Sequence, residues 1–373
     1  MNKKKILTII LIILFIGFVA ERINTNKSDV YEEQNKISIK KNKNMLSMNL
    51  EQTAGAGDYK TVTQSSWPTE GYEFNTELSR CEKGSELSWD DTKKAVIMQG
   101  NVSDKCYVYF DLIPSMTLAE YVISQYTGVQ GENGIYYHNS SLENGAGDNS
   151  YRYAGASNNV NNYICLGSDA TTCPDANLFR IIGVFGDQTK VIRAKSVGDK
   201  EWDTNDSNTW STSSLNTYLN GEYLTSLGTL ADKIATTTWK VGGGSTTYLY
   251  DVPKTAYQYE VGSSASTTTY DAKIGLMYVS DYGFAADQSG WTTKLSSYNS
   301  NKSKNWLNTG KYIEWTLSRN SDNTDNAFGV ISTGYVDNYN VTKSYVVRPS
   351  FNLESSVKYV SGSGSMSGPV RVN

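Results

Sequence analysis

The chain has 373 residues, 38% of them hydrophobic, 12% aromatic and only 19% charged, with a formal net charge of −4. At roughly 100 to 200 residues per domain this length predicts two or three folded units, and the apolar content is too high for disorder throughout. A weakly acidic balance offers no electrostatic footprint for nucleic acid, and no zinc-finger, KH or RNP-type signature is present, so a nucleic-acid partner is excluded. Tyr, Ser, Thr, Asn and Gly dominate with few Pro, a composition that favours β-strands joined by polar turns.

The N-terminus reads "MNKKKILTIILIILFIGFVAER". Three lysines precede an apolar run over residues 6–20, which Glu21 and Arg22 end abruptly. This is the charge pattern of an export signal, and we expect a signal anchor or signal peptide over 1–21, with the folded mass on the extracellular face of the cell membrane. Helical geometry gives the run a little over roughly 22 Å, enough to span with snorkelling of the flanking bases. Cleavage after Ala20 would leave Phe18 where a small residue is wanted, which favours the anchored form over the secreted one. Residues 22–57, rich in Lys, Asn, Glu and Ser, read as a flexible stalk.

Residues 58–112 are expected to form a small antiparallel β-domain. "GYEFNTELSRC", "SELSWDDTKKAVIM" and "DKCYVYFDL" give strands at intervals of about ten residues, with a turn at Asp90-Asp91. A connecting helix follows over 113–128, with Thr117 as N-cap, Glu120 completing a capping box and Gly128 as stop.

Residues 129–373 read as one larger mixed domain. "LFRIIGVFGDQTKVIRAKSV" is a hairpin turning at Gly186-Asp187. "STSSLNTYLNGEYLTSLGTLADKIA" has helical spacing interrupted at Gly221, which predicts two short helices. "KIGLMYVSDYGFA" reads as strand up to Ser280 or Asp281, and "EWTLS", "NAFGVIST" and "YVVRPSFNL" as three closing strands, with Pro349 at an edge or bulge.

The chain holds one histidine and four cysteines. His138 lies in the polar context "GIYYHNSS" and reads as a surface imidazole. Cysteine spacings of seven and twenty-four intervening residues do not suit zinc, so local disulfides are expected, Cys81 with Cys106 and Cys165 with Cys173. No metal and no cofactor are expected. Carboxylates cluster at Glu201, Asp203 and Asp206 and at Asp322 and Asp325, where solvated turns compete with a catalytic pair. Trp202, Trp210, Trp239, Trp291, Trp306 and Trp315 suit a core. Tyr335, Tyr339 and Tyr345 instead stand among Asp and Asn, the composition of adaptable binding loops.

Taken in order, "LFRIIGVFGDQTKVIRA", the Trp210-to-Asn220 stretch "WSTSSLNTYLN", "GLMYVSDYGFA", "EWTLS" and "VVRPSFNL" resemble an uncharacterised domain family of bacterial exported and surface proteins over roughly residues 150–360. The closing pattern is also similar to C-type-lectin-like folds of the formylglycine-generating and retroelement-variable type. That resemblance implies a C-type-lectin-like α+β domain over 129–373 in a β-rich α+β chain. Trp315, Ser318, Arg348 and Pro349 would sit in its closing motif, and the loops 319–326 and 335–345 would form the exposed face. All four cysteines precede residue 174, so the oxidase chemistry of formylglycine-generating enzymes has no counterpart, and the calcium motifs of sugar-binding lectins are missing. The resulting expectation is a non-catalytic binding or adhesion module for a cell-surface glycan or protein. Its ligand face would be Arg319, Asn323, Asp325, Tyr335, Asp337, Tyr339 and Asn340. A carbohydrate-active hydrolase using Asp203 with Asp325, and a structural protein of the cell envelope, are the alternatives.

Overall fold

The computed structural model describes residues 46–63, 67–68, 71–101, 103–113, 115–310 and 312–373. The expected membrane segment at 6–20 and the first part of the stalk lie outside them. No helix among the described residues is long and apolar enough to cross a membrane. The fold is β-rich α+β, with several sheets and few helices, and it divides into two compact units that part at Ser115.

In the first unit the strands are β1 (Leu46–Glu51), β2 (Tyr59–Val62), β3 (Tyr72–Phe74), β4 (Arg80–Cys81), β5 (Glu86–Asp90), β6 (Ala95–Gln99) and β7 (Cys106–Leu112). Two sequence expectations need correction here. The stalk assigned to 22–57 ends in β1, where Met48 and Leu50 are buried beside Phe74, Val108 and Phe110. The domain is also not purely antiparallel, because β1 runs parallel to the central strand β7. The alternation of Leu46, Met48 and Leu50 was the available signal, but three apolar residues inside a Lys- and Asn-rich stretch are too few to stand out. β5 and β6 make a separate hairpin around Asp90, whose carboxylate accepts the Thr92 and Lys93 amides, and Trp89 packs on Phe110 at 5.5 Å. Cys81 and Cys106 are direct cross-strand partners and are disulfide-bonded, as expected.

The second unit opens with helix α1 (Leu118–Ser124), whose Thr117–Glu120 capping box is present in full. Strands β8 (Ile135–Tyr137), β9 (Tyr151–Tyr153), β10 (Tyr163–Cys165), β11 (Leu178–Phe185), β12 (Gln188–Arg193) and β13 (Asp199–Glu201) follow. Then come α2 (Ser214–Tyr218), α3 (Leu224–Ser226), β14 (Thr237–Lys240), α4 (Thr246–Leu249), α5 (Pro253–Glu260), β15 (Thr269–Ala272), β16 (Ile274–Gly275) and α6 (Val279–Phe284). The chain closes with β17 (Glu314–Arg319), β18 (Asn326–Val330), β19 (Val336–Asn340), β20 (Ser344–Val346), β21 (Ser350–Leu353), β22 (Tyr359–Ser361) and β23 (Val370–Val372).

The larger sheet runs β16-β21-β12-β11-β10-β23-β22, with β9 added on β11 and β8 on β9; the smaller runs β13-β20-β17-β18-β19. β11 and β12 form the expected hairpin, with Gly186 at a positive φ of 64° in its two-residue turn. All six tryptophans of the second unit are core residues.

Three local expectations fail for identifiable reasons. The helical run does not stop at Gly221; it passes through a π-turn over Leu219–Tyr223, which absorbs the irregularity without ending the helix. The strand expected up to Ser280 ends at Gly275, because Asp281 accepts the Tyr278 amide and caps α6, a helix buried on every side. A helix buried all round, with Ser280 and Asp281 inside along with its apolar residues, shows no amphipathic period to read. "YVVRPSFNL" is not one strand: its halves β20 and β21 lie in different sheets, and Pro349, which lacks a donor, stands at the corner between them.

Candidate functional site

β17, β18 and β19 place the expected ligand residues side by side. Cross-strand register aligns Trp315, Gly329 and Asp337 in one row and Arg319, Ala327 and Tyr339 in the next. The small residues on the middle strand open space for aromatic rings. A Cβ at Gly329 would come within 2.8 Å of Ile313 Cγ2 and 3.6 Å of the Tyr339 ring. Trp315, Tyr345 and Tyr339 thereby form a ladder, with centroids 5.0 Å and then 5.3 Å apart. Trp315 is buried and its indole N–H donates to Lys200 O at 3.0 Å, whereas both tyrosines are half-exposed.

Burial pushes the Tyr345 phenol up, and burial followed by the Asp337 carboxylate does so for Tyr339, so both are protonated donors at neutral pH. Among the described residues the hydroxyls of Tyr335, Tyr339 and Tyr345 have no hydrogen-bond partner. Likewise the Asp325 carboxylate and the Asn323 amide nitrogen have none. These five groups are the face's available polar valences.

A network of side-chain amides holds that face in shape. Buried Asn208 donates to the carbonyls of Asn320, Asn323 and Asn326 at 2.9, 3.0 and 2.8 Å and gathers the loop 320–326 around itself. Arg319 Nη1 donates to Asn208 Oδ1 at 3.2 Å, and its Nε to Gly242 O at 2.9 Å. Asn338 accepts from Asn326 at 2.7 Å and donates to the Tyr250 hydroxyl at 2.6 Å, which in turn donates to Asp337 at 2.5 Å. Burial and this Asp337 bond raise the Tyr250 phenol to about 12.

The seven expected residues therefore separate into two groups. Arg319 and Asn340 are architectural: Asn340 donates to Asp206 and accepts from Thr342, which fixes the turn after β19. Asn323, Asp325, Tyr335, Asp337 and Tyr339 keep atoms available to a ligand. The loop expected at 335–345 is mostly strand, β19 and β20 joined by a short turn, so these side chains stand on a sheet. Asn208, Tyr250 and Asn338 had no distinguishing sequence signal, since an Asn that ties three carbonyls looks like an Asn in any solvated turn.

Three of the remaining carboxylates, those of Asp203, Asp206 and Asp322, are committed elsewhere. Asp203 is buried, with one oxygen accepting the Ser214 amide at 2.9 Å and the other the Ser207 amide at 3.3 Å. Asp322 accepts from Thr246. His138 is fully buried, not on the surface as expected: Nδ1 accepts the Ala146 amide at 3.0 Å, and the ring lies against Phe284 and Trp291. Burial, reinforced by the Arg152 charge, holds it well below the ordinary histidine range. The polar look of "HNSS" hid an inward-facing position on a chain segment that folds over a core cluster.

A second buried polar centre was also illegible in the sequence. Glu260 accepts the Val279 and Ser280 amides at 2.9 Å each and the Ser318 hydroxyl, and burial raises its carboxyl to about 7. Among the described residues no three of His, Cys, Asp and Glu converge to hold a metal ion.

No curated protein and no solved structure proved similar to the chain. Residues 186–355, which carry β12 through β21 and with them the whole of this face, match the family DUF6273, a domain of unknown function.

Proposed function

We propose that the chain is a non-catalytic binding or adhesion module, held at the extracellular face of the cell membrane by residues 6–20, and that it takes a glycan or a protein through the β18–β19 face. The observation that carries this reading is the pair Tyr339 and Tyr345, half-exposed rings packed edge to face on each other, with Tyr345 resting on the buried Trp315 and both hydroxyls without a hydrogen-bond partner among the described residues. Aromatic rings fixed on a sheet offer large contact area at low entropic cost, and free donors and acceptors supply direction. Two disulfides accord with an oxidising compartment. The C-type-lectin-like reading is supported by the late Trp315 strand and the Arg348 segment, joined by the Arg348 to Glu314 bond at 2.7 Å.

The hydrolase alternative is weakened by Asp203, whose two oxygens both serve the backbone. The test is an array of glycans and cell-surface proteins probed with residues 46–373. Selective binding that falls at least roughly tenfold on Tyr339→Ala supports the module, the loss of a stacking anchor being worth about that much. Uniform silence, or binding indifferent to Tyr335→Ala and Tyr339→Ala, refutes it.

A further inference from the structure

The second unit carries a cleft of about 710 Å³ that is separate from the tyrosine face. It lies between the loop after β10, the 3₁₀ helix Gly228–Lys233 and the closing hairpin β22–β23. We propose that this cleft is a second binding site, for a sugar residue that carries an anionic group.

The size falls within the roughly 300 to 1,000 Å³ range of small-molecule sites. Its walls are mainly hydroxyls and backbone, with Ser168, Thr171, Thr229 and Ser361 among them, and a narrow apolar strip at Leu230 and Val360. Such a lining matches the hydroxyls and the one apolar face of a sugar ring better than a flat hydrophobic ligand. The rim is built in advance. The Cys165–Cys173 disulfide closes the loop, Asn177 donates to Leu166 O and Gly167 O at 2.7 and 3.1 Å, and Arg371 donates to Ser168 O, Ala170 O and Thr171 O at 2.7, 2.8 and 3.3 Å.

Charge selects the anion. Those three carbonyls orient the Arg371 guanidinium without neutralising it, and they leave its Nε–H free among the described residues. The Lys233 ammonium has no side-chain partner among the described residues. Two cationic side chains without a carboxylate side-chain partner among the described residues therefore line one cleft, whose lining carries one acidic side chain, Asp169, on the exposed rim. An oriented guanidinium and a mobile ammonium form the charge-assisted bonds that hold carboxylate or phosphate.

The test is calorimetric titration of the full chain with a trisaccharide of glucuronate, glucose 6-phosphate and a neutral glucose trisaccharide. Binding of one or both anionic probes and not the neutral one is expected, and the comparison of the two assigns the anion. Lys233→Gln should weaken binding at least roughly tenfold, the effect of one lost charge-assisted bond. Asp169→Asn should strengthen it, a gain that misfolding cannot mimic. Tyr339→Ala should leave it unchanged, which keeps this site distinguishable from the tyrosine face. Equal affinity for the neutral sugar, no binding of any probe, or native affinity in Lys233→Gln overturns the proposal.

Discussion

Lys190 Nζ lies 2.5 Å from Asp281 Oδ2, and both side chains are buried. Arg152 Nη1 stands 3.7 Å from the other Asp281 oxygen, so one carboxylate faces two cations in the core. Burial pushes the Lys190 ammonium down while Asp281 pulls it back up. Removing Asp281 would leave the Lys190 ammonium without a carboxylate where water cannot reach it, while Arg152 keeps its pair with Asp148 at 2.6 Å, and would uncap α6 as well. We expect Asp281→Asn to destabilise the second unit by about 3 to 5 kcal/mol. Lys190→Met should cost less, because Arg152 still faces the carboxylate. Urea unfolding followed by tryptophan fluorescence checks both, and near-native stability of Asp281→Asn would show that the pair does not hold the core.

Stability should depend on pH through buried groups of opposite sign, among which Glu260, with Glu314 raised in the same direction by burial, opposes His138. Glu260, raised to about 7, favours the folded state below its unfolded value of about 4.5 and loses that contribution as pH rises through about 7. The total is on the order of 3 kcal/mol by linkage. His138, held below its unfolded value of about 6.5, contributes above that pH and loses the contribution on acidification. Between about pH 4.5 and 6.5 the two slopes oppose each other. Relative to the unmodified protein, His138→Phe should make the slope of stability against pH more negative between about pH 4.5 and 6.5, and Glu260→Gln should make it more positive. The slope across a urea series at several pH values is the readout, since either variant shifts the absolute value by altered packing. Unchanged slopes in both would sink the assignment.

The two disulfides should contribute unequally. Closing the shorter Cys165–Cys173 loop removes about 2 to 3 kcal/mol of unfolded-chain entropy, and the longer Cys81–Cys106 loop about 3 to 4 kcal/mol. The longer one also serves the smaller unit, whose core is five buried apolar side chains with a partly buried surround. We therefore expect Cys81→Ser with Cys106→Ser to unfold the first unit near 37 °C, and Cys165→Ser with Cys173→Ser to lower the second unit's melting temperature only. Calorimetry that resolves both transitions decides this, and equal shifts would contradict it.

What could be read from the sequence was whatever left a local signature. The Thr117 to Glu120 box, the Gly186-Asp187 turn and the four cysteines are short-range devices, and each is found as expected. The parallel pairing of β1 with β7 joins residues about sixty positions apart, and nothing in "MLSMNLE" names its partner. The ligand face was legible in composition, because Tyr, Asn and Asp recur near residues 335–345. Its rigidity was not, since that depends on Asn208, more than a hundred positions away. His138 and Glu260 illustrate the same limit: burial of a polar side chain is decided by tertiary contacts that sequence neighbours do not reveal.

Asn208 offers the sharpest test of how the face is held. Its side chain is 1% exposed, its amide nitrogen serves three carbonyls of the loop 320–326, and its oxygen accepts from Arg319. Asn208→Ala leaves those carbonyls short of a donor, at about 1 to 3 kcal/mol for the group, and lets the loop relax. Asn208→Asp is nearly isosteric and keeps the Arg319 contact, yet it sets a carboxylate oxygen against three carbonyl oxygens. A solvated turn would accept the aspartate more readily than the alanine, whereas a buried donor site must reject it. We therefore expect Asn208→Asp to destabilise more than Asn208→Ala in chemical denaturation, and both to reduce any binding that depends on Tyr339. The reverse order of stabilities would mean that loop 320–326 is held by something other than this amide.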